Sequence, residues 1–276
     1  MLLKRYDIDS LDNRDESLLL LLNRLFHGLL MRYFRAEIRG LDRIPDGPGL
    51  FVGNHSGGLM PLDALVFGSA VLAARGLADA PYGLGHELAI RIPLIHQLIV
   101  PLGAVRASHE NGLGLLRRGH KVIVYPGGDV DSMRPYRDRN RVVFDGRTGY
   151  IRLALEAGVP VIPVASAGGH STSIVLDDGR WLAKWLGLIR SPLRTHVWPI
   201  VLSVPWGLTV GPPVLYIPLP ARLLVEVLEP ISFQRTGSAA ARDDGYVEAC
   251  GRRVLETIEA SLARLAEERE SRRHPT

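Results

Sequence analysis

The residues best suited to chemistry stand in a short segment, Asn54-His55-Ser56-Gly57-Gly58, which follows the apolar run Leu50-Phe51-Val52-Gly53. The run reads as a buried strand, and α/β folds place polar working groups where strands end. An imidazole at such a point can act as a general base near neutral pH. It would gain from a carboxylate that holds its second ring nitrogen and stabilises the imidazolium. The nearest downstream carboxylate is Asp63, just past Pro61 at the start of a helical pattern. Ser56 offers a competing chemistry. With Gly58 two residues on, it stands after a strand much as the serine of a nucleophile elbow does. Asp177 or Asp178 and then His196 would complete a triad in the order found in α/β hydrolases. Asn54, however, occupies the position that the sharp elbow normally reserves for glycine.

A second strand-to-turn transition comes later, at Val122-Ile123-Val124-Tyr125-Pro126-Gly127-Gly128-Asp129. Backbone N–H groups in glycine-rich turns can receive a phosphate or a developing oxyanion. Arg106 follows Gly103 at a further expected strand end, where its guanidinium could hold a phosphate or pair with a surface carboxylate. Arg134, Arg137, Arg139, Arg141 and Arg147 make a basic stretch after the glycine turn, read either as a solvated loop or as a contact for anionic lipid or coenzyme. The histidines at 86, 96, 109, 120, 170 and 196 lack metal-ligand spacing and read as structural or surface groups.

In this order the segments resemble the phospholipid/glycerol acyltransferase family, which includes the lysophosphatidic acid acyltransferases. That family carries an Asn-His…Asp block, an arginine-bearing block, a Pro-Glu-Gly-type block and a Val-Pro-x-x-Pro-Val block. Here they correspond to Asn54-His55…Asp63, Gly103-Ala104-Val105-Arg106, Tyr125-Pro126-Gly127-Gly128 and Val159-Pro160-Val161-Ile162-Pro163-Val164, and the resemblance spans about residues 36 to 233. It implies that His55 is a general base oriented by Asp63. It also implies that Asn54, Ser56, Arg106, Tyr125, Pro126, Gly127, Gly128 and Asp131 contribute to the substrate-binding surface. Two departures stand out. Seven residues separate His55 from Asp63, where the family commonly has four, so the intervening loop must fold back. Gly127 replaces the family's glutamate, and an acidic residue, Asp131, follows the glycines. The Tyr-Pro-Gly-Gly form is closer to the branch containing diacylglycerol acyltransferases, which favours a neutral acylglycerol or other lipid alcohol as acceptor. The resemblance implies an acyl-CoA or acyl carrier protein donor and no bound cofactor. A non-catalytic lipid-binding module is the other reading, and the long His–Asp spacing is its only support.

These groups need a scaffold. The 276 residues are 46% hydrophobic, enough for a sizeable core, with a net charge of +4. The arginine excess suits an anionic partner, but no basic run interleaved with aromatics points to nucleic acid. The single cysteine, Cys250, excludes an intrachain disulfide framework and reads as a core residue. Strand patterns fall at residues 50–53, 98–105, 121–125, 159–165, 214–217 and 223–228, and helix patterns at 62–75, 109–118, 147–157 and 246–265. Their alternation predicts one α/β domain over residues 36–276, with a central mixed sheet flanked by helices. Residues 1–35 form an N-terminal arm. Within it Asn13 and Glu16 resemble a capping box opening an amphipathic helix to about Phe34. Leu18, Leu22, Leu25, Leu29 and Tyr33 share a helical spacing, with Arg24, Arg32 and Arg35 close by. Such a helix can pack on the core, lie in the headgroup region of a bilayer, or do both on different faces. Ser17 to Met31 falls short of the roughly 20 residues of a spanning helix, and no secretory signal is read. From His196 to Ala221 there is no acidic or basic side chain apart from His196, and six prolines oppose a continuous helix. Trp198, Trp206 and Tyr216 would fit a membrane-contacting loop, the wall of an acyl groove, or a buried segment. Together these features predict an enzyme at the cytoplasmic face of a membrane, peripheral or monotopic.

Overall fold

The computed structural model describes residues 4–58, 60, 62–191, 195–213 and 216–272. Its elements run, in chain order, α1 (Glu16–Tyr33), β1 (Glu37–Arg39), β2 (Gly49–Gly53), α2 (Leu62–Arg75), β3 (Tyr82–Gly85), α3 (Glu87–Arg91), α4 (Pro93–Ile99), β4 (Ala104–Arg106), α5 (His109–Arg117), β5 (Lys121–Val124), α6 (Gly128–Ser132), α7 (Gly149–Ala157) and β6 (Val161–Ala167). There follow β7 (Ile174–Asp177), α8 (Arg180–Trp185), β8 (Ile200–Ser203), β9 (Gly207–Val210), β10 (Leu224–Val227), α9 (Ser238–Arg242) and α10 (Asp244–Ser271).

Seven strands make one mixed sheet in the order β1-β10-β6-β2-β5-β3-β4. Strands β6, β2, β5, β3 and β4 are mutually parallel, and β10 runs antiparallel to β6. Strands β2 and β6 are buried along their whole length. Both faces of a parallel sheet are covered by helices, so its central strands read as continuous apolar runs rather than alternating ones. On one face Leu50 and Val161 pack with Ile151 and Leu155 of α7 and Val254 and Ile258 of α10. On the other, Phe51 and Ile162 pack with Phe67 and Val71 of α2. The central mixed sheet between helices is the architecture expected from the sequence. Since β2 and β5 are parallel neighbours, their C-terminal ends deliver His55 and Tyr125 to the same edge of the sheet.

Several local expectations are corrected. The apolar run 98–105 is not one strand: Leu98 and Ile99 end α4, and only Ala104–Arg106 is extended. Gly103, at φ +102°, makes the break between them, in a backbone region that side chains disfavour. The N-cap of α1 is Asp15 rather than Asn13, because Asp15 accepts from the Leu18 N–H while the Asn13 amide donates to the carbonyls of Asp7 and Ser10. Helix α7 starts at Gly149 rather than Arg147. Of the expected strand 214–217, residues 214 and 215 lie outside the described set, and Ile217 makes only an isolated bridge to Val204. The segment 196–221 instead contains the β8–β9 hairpin, which joins β7 in a second, three-stranded sheet.

Helix α1 buries no residue completely. One face packs on α2, where His27 Nδ1 meets Ser69 Oγ at 3.0 Å. Leu21 and Leu25 point outward, 53% and 60% exposed. A buried leucine is worth about 1.5–3 kcal/mol over an exposed one, so this outer stripe is a sizeable unused apolar surface. No helix among the described residues is long and apolar enough to cross a membrane.

Candidate active site

The backbone leaves β2 at Gly53, and Asn54 closes the strand end. Its side-chain amide donates to the Ser166 carbonyl and accepts from the Ser166 N–H, each at 2.8 Å. The pair of bonds extends the β2–β6 ladder by one side chain and fixes the exit direction of the chain. His55 follows, with its side chain 16% exposed.

The seven-residue spacing to Asp63 is bridged by a turn with Gly57 at φ +88° and Gly58 at φ +70°. Two successive left-handed residues let the chain double back without a Cβ clash. The Tyr216 hydroxyl donates to the Gly57 carbonyl and pins this turn. As a result Asp63, in the first turn of α2, meets His55 Nδ1 at 2.9 Å. Its Oδ2 also accepts from the Ser56 N–H at 2.7 Å. An ionised carboxylate only accepts, so Nδ1 carries the proton and Nε2 is left with its lone pair. The ring of Tyr125 stacks on the imidazole at 4.5 Å between centroids. Burial opposes the charged imidazole, but the charge and hydrogen bond of Asp63 outweigh it and raise the His55 pKa above its ordinary 6.5.

Asp131 is fully buried and does not face the cavity beside His55; it holds the backbone. Its carboxylate accepts from the N–H groups of His55 and Val143 and pairs with Arg134. Arg134 donates in turn to His170 Nε2 at 2.8 Å. The His55 N–H is therefore held at one end of a buried Asp131–Arg134–His170 chain. Burial, then the Arg134 charge, depress the His170 pKa well below the ordinary range, keeping it neutral. The sequence reading left His170 among the structural histidines, since nothing in its local pattern links it to residue 55.

Gly127 explains the missing glutamate. A Cβ there would lie 2.1 Å from the Val143 carbonyl oxygen and 2.3 Å from Asp131 Cβ. The Asp131 side chain thus occupies the volume that a residue at 127 would need. Gly127→Ala should destabilise the fold by about 1–3 kcal/mol, the usual cost of overpacking, measurable as a lower midpoint in urea.

The residues proposed from sequence separate into groups. His55, Tyr125, Pro126 and Gly128 line a cavity of about 790 Å³, whereas Asn54 and Ser56 lie behind its wall. Ser56 is 1% exposed, and its Oγ faces Asp63 Oδ2 at 3.4 Å rather than an imidazole. The triad partners proposed for it are not brought to it: Asp177 accepts from the Gly179 N–H, Asp178 pairs with Arg180, and the exposed His196 is tied through its backbone N–H to Asp129. Ser56→Ala is therefore expected to keep most activity. Loss comparable to that in a His55 variant, in the same assay, would revive the serine mechanism. Arg106 sits at the end of β4, where its Nε bonds Asp9 Oδ1 at 2.7 Å, and it is not among the cavity residues. Of the basic stretch, Arg134 is buried, Arg139 pairs with Glu270, and Arg137 and Arg141 are exposed. Arg147 alone reaches the cavity, held by the carbonyls of Pro126 and Gly127 at 3.2 Å. The cavity is otherwise mostly apolar, walled by Leu19, Leu22 and Leu30 of α1, Leu65 and Leu72 of α2, and Trp198. Among the described residues no cluster of His, Cys, Asp and Glu could hold a metal ion.

Comparison with known families decides what this arrangement is related to. Residues 35–167 match the acyltransferase family model. The chain resembles that family over just under half of its length. Its matched segment contains the His55–Asp63 pair, the glycine turn and Asp131. An uncharacterised protein of Mycobacterium tuberculosis is 30% identical over 84% of this chain and 62% of its own length. The chain thus spans about three-fifths of that relative. A human protein named DGAT1/2-independent enzyme synthesizing storage lipids is 28% identical over 54% of this chain and 45% of its own. The acyltransferase fold is also seen in the crystal structure of the 1-acyl-sn-glycerophosphate acyltransferase PlsC from Thermotoga maritima. It superposes with a TM-score of 0.53 at 18% identity, over 91% of this chain and 83% of that one.

Proposed function

We propose that the protein is an acyltransferase that moves a fatty acyl group from acyl-CoA or acyl carrier protein to the hydroxyl of a glycerolipid or other lipid alcohol. The observation that carries this reading is the 2.9 Å pairing of His55 Nδ1 with Asp63 at the wall of a mostly apolar cavity. His55 Nε2 takes the proton from the acceptor hydroxyl as its oxygen attacks the thioester carbonyl. Asp63 keeps the ring in the required tautomer and offsets the charge that forms on it. The tetrahedral oxyanion collapses to expel the thiolate, which receives the proton from the imidazolium. The acyl group passes directly to the acceptor, with no acyl-enzyme. Arg147, the sole Arg or Lys among the described cavity residues, would meet phosphate or developing negative charge from the donor. A single cation is meagre for a phosphorylated acceptor as well as a donor, which favours a neutral acylglycerol or similar alcohol.

The outward leucines of α1 would hold the enzyme peripherally on a membrane, where both acyl chains reside. The base must be neutral to work, and its pKa is raised. Activity should therefore rise with pH through an acid limb lying above 6.5, the ordinary imidazole value. A limb below that value in kcat/KM would contradict the role of Asp63. The identity of the reaction is tested with purified protein, labelled acyl-CoA or acyl carrier protein, and lysophosphatidate, monoacylglycerol, diacylglycerol and a long-chain alcohol as acceptors. Label should appear in an ester of a neutral acceptor. Label only in free fatty acid, or in no product, would refute the proposal.

A further inference from the structure

The β7–β8–β9 sheet carries apolar side chains on both of its faces. Cross-strand partners share a face, and the pairs Ile174↔Leu202, Leu202↔Leu208 and Ile200↔Val210 place apolar side chains on one side. That side faces outward: Leu202 is 45% exposed, Leu208 64% and Val210 63%. The opposite side buries Val175, Val201 and Ser203. A one-sided sheet ordinarily turns its polar residues to water. Trp206 projects from the hairpin tip with 59% of its surface exposed.

The neighbouring helix repeats the pattern. Trp181, Trp185 and Ile189 recur every four residues from the start of α8 and are exposed. Lys184 and Arg190 lie exposed among them. From Gly179 to Val225 the sequence contains no aspartate or glutamate, while Arg180, Lys184, Arg190, Arg194 and Arg222 are present. The surface adjoins the proposed site, because Trp198 and Pro199, which lead into β8, and Pro212, which follows β9, line the same cavity as His55. It also meets α1: the Tyr33 hydroxyl donates to the Pro218 carbonyl at 2.6 Å, beside the Ile217–Val204 bridge.

We infer that the outer face of the β7–β8–β9 sheet, with α8, is a second membrane-docking surface, selective for bilayers containing anionic lipid. The inference builds on the proposed work at a lipid surface and adds a second contact beside α1. Tryptophan prefers the headgroup region, and exposed basic side chains such as Lys184 and Arg190 gain from a negative surface potential, whereas Arg180 is paired with Asp178. The charge composition favours a bilayer over a second copy of the chain, since two such surfaces would bring like charges together.

The test is sedimentation of the full chain with phosphatidylcholine vesicles, with and without phosphatidylglycerol. Wild type should bind both kinds of vesicle, and the anionic ones more tightly. The double variant Trp206→Ser/Leu208→Ser should lose at least tenfold in affinity for both. Lys184→Gln/Arg190→Gln should lose affinity only for the anionic vesicles, as should wild type in high salt. All four side chains are exposed, so thermal midpoints and acyl transfer to detergent-dispersed acceptor should stay at the wild-type level. Unchanged vesicle binding by both variants would overturn the inference. So would a dimer in solution that the Trp206/Leu208 variant converts to monomer. Vesicle binding as described, without acyl transfer by the wild type, would refute the proposed reaction and leave the docking surface standing.

Discussion

His55→Ala is expected to lower kcat for acyl transfer by about 100- to 10,000-fold, the usual contribution of a positioned general base, with a smaller change in KM. The cavity is built from α1, α2 and the glycine turn, and removing one imidazole leaves those walls in place. Asp63→Asn should also lower kcat, for a different reason. Asparagine can present its NH2 to Nδ1, which favours the tautomer that protonates Nε2 and removes the lone pair the reaction needs. The residual activity should show its acid limb at lower pH, because the carboxylate that raises the His55 pKa is gone. An Asp63→Asn enzyme with wild-type kcat and an unmoved limb would mean that the 2.9 Å contact holds the turn and contributes nothing to the chemistry.

The second large effect concerns stability. Arg134→Met should cost about 3–5 kcal/mol, the penalty for leaving a buried charge without its partner. Arg134 is 3% exposed, Asp131 is fully buried, and the same guanidinium donates to His170. Removing it strands a carboxylate, which the N–H groups of His55 and Val143 cannot neutralise. The measurement is the chemical-denaturation midpoint at constant slope, and thermal unfolding should fall by on the order of 10 °C. A loss below about 1 kcal/mol would put the pair with solvent-exposed bridges, whose contributions are that small. Because Asp131, the partner of Arg134, holds the His55 N–H, such a variant should also lose activity while still folded.

How far the sequence revealed this site depended on distance along the chain. The sheet centre was legible because β2, β5 and β6 are short apolar runs ending in polar or glycine-rich turns. The His55–Asp63 pair was legible as a pair of residue types, but its geometry was not. Closure of the turn depends on the positive φ angles of Gly57 and Gly58 and on Tyr216, which is 159 residues away. Asp131 was found only through the resemblance, and its partners are long-range: His170 sits on a turn after β6 and has no local signal. Arg106 shows the opposite failure. Its strand-end position suggested an anion site, yet Asp9 from the N-terminal arm holds it. The misread run 98–105 has an equally physical cause, because apolar residues bury as well in α4 as in a strand, and periodicity over so few positions does not separate the two. The 196–221 segment was rightly denied a continuous helix by its prolines, but whether it was buried or outward depended on neighbours. Trp198 lines the cavity, Tyr216 is buried, and Trp206 faces out.

The central claim is that His55, held by Asp63, activates a lipid hydroxyl for direct attack on the thioester. It is tested most directly by a single-turnover reaction. Excess enzyme is mixed with labelled acyl-CoA and the best acceptor from the panel, and label is followed in ester product and on protein, for wild type and His55→Ala side by side. The account predicts ester formation by the wild type, no label retained on the denatured protein, and at most trace product from His55→Ala. Product from His55→Ala at the wild-type rate, or label accumulating on the protein before ester appears, would contradict it.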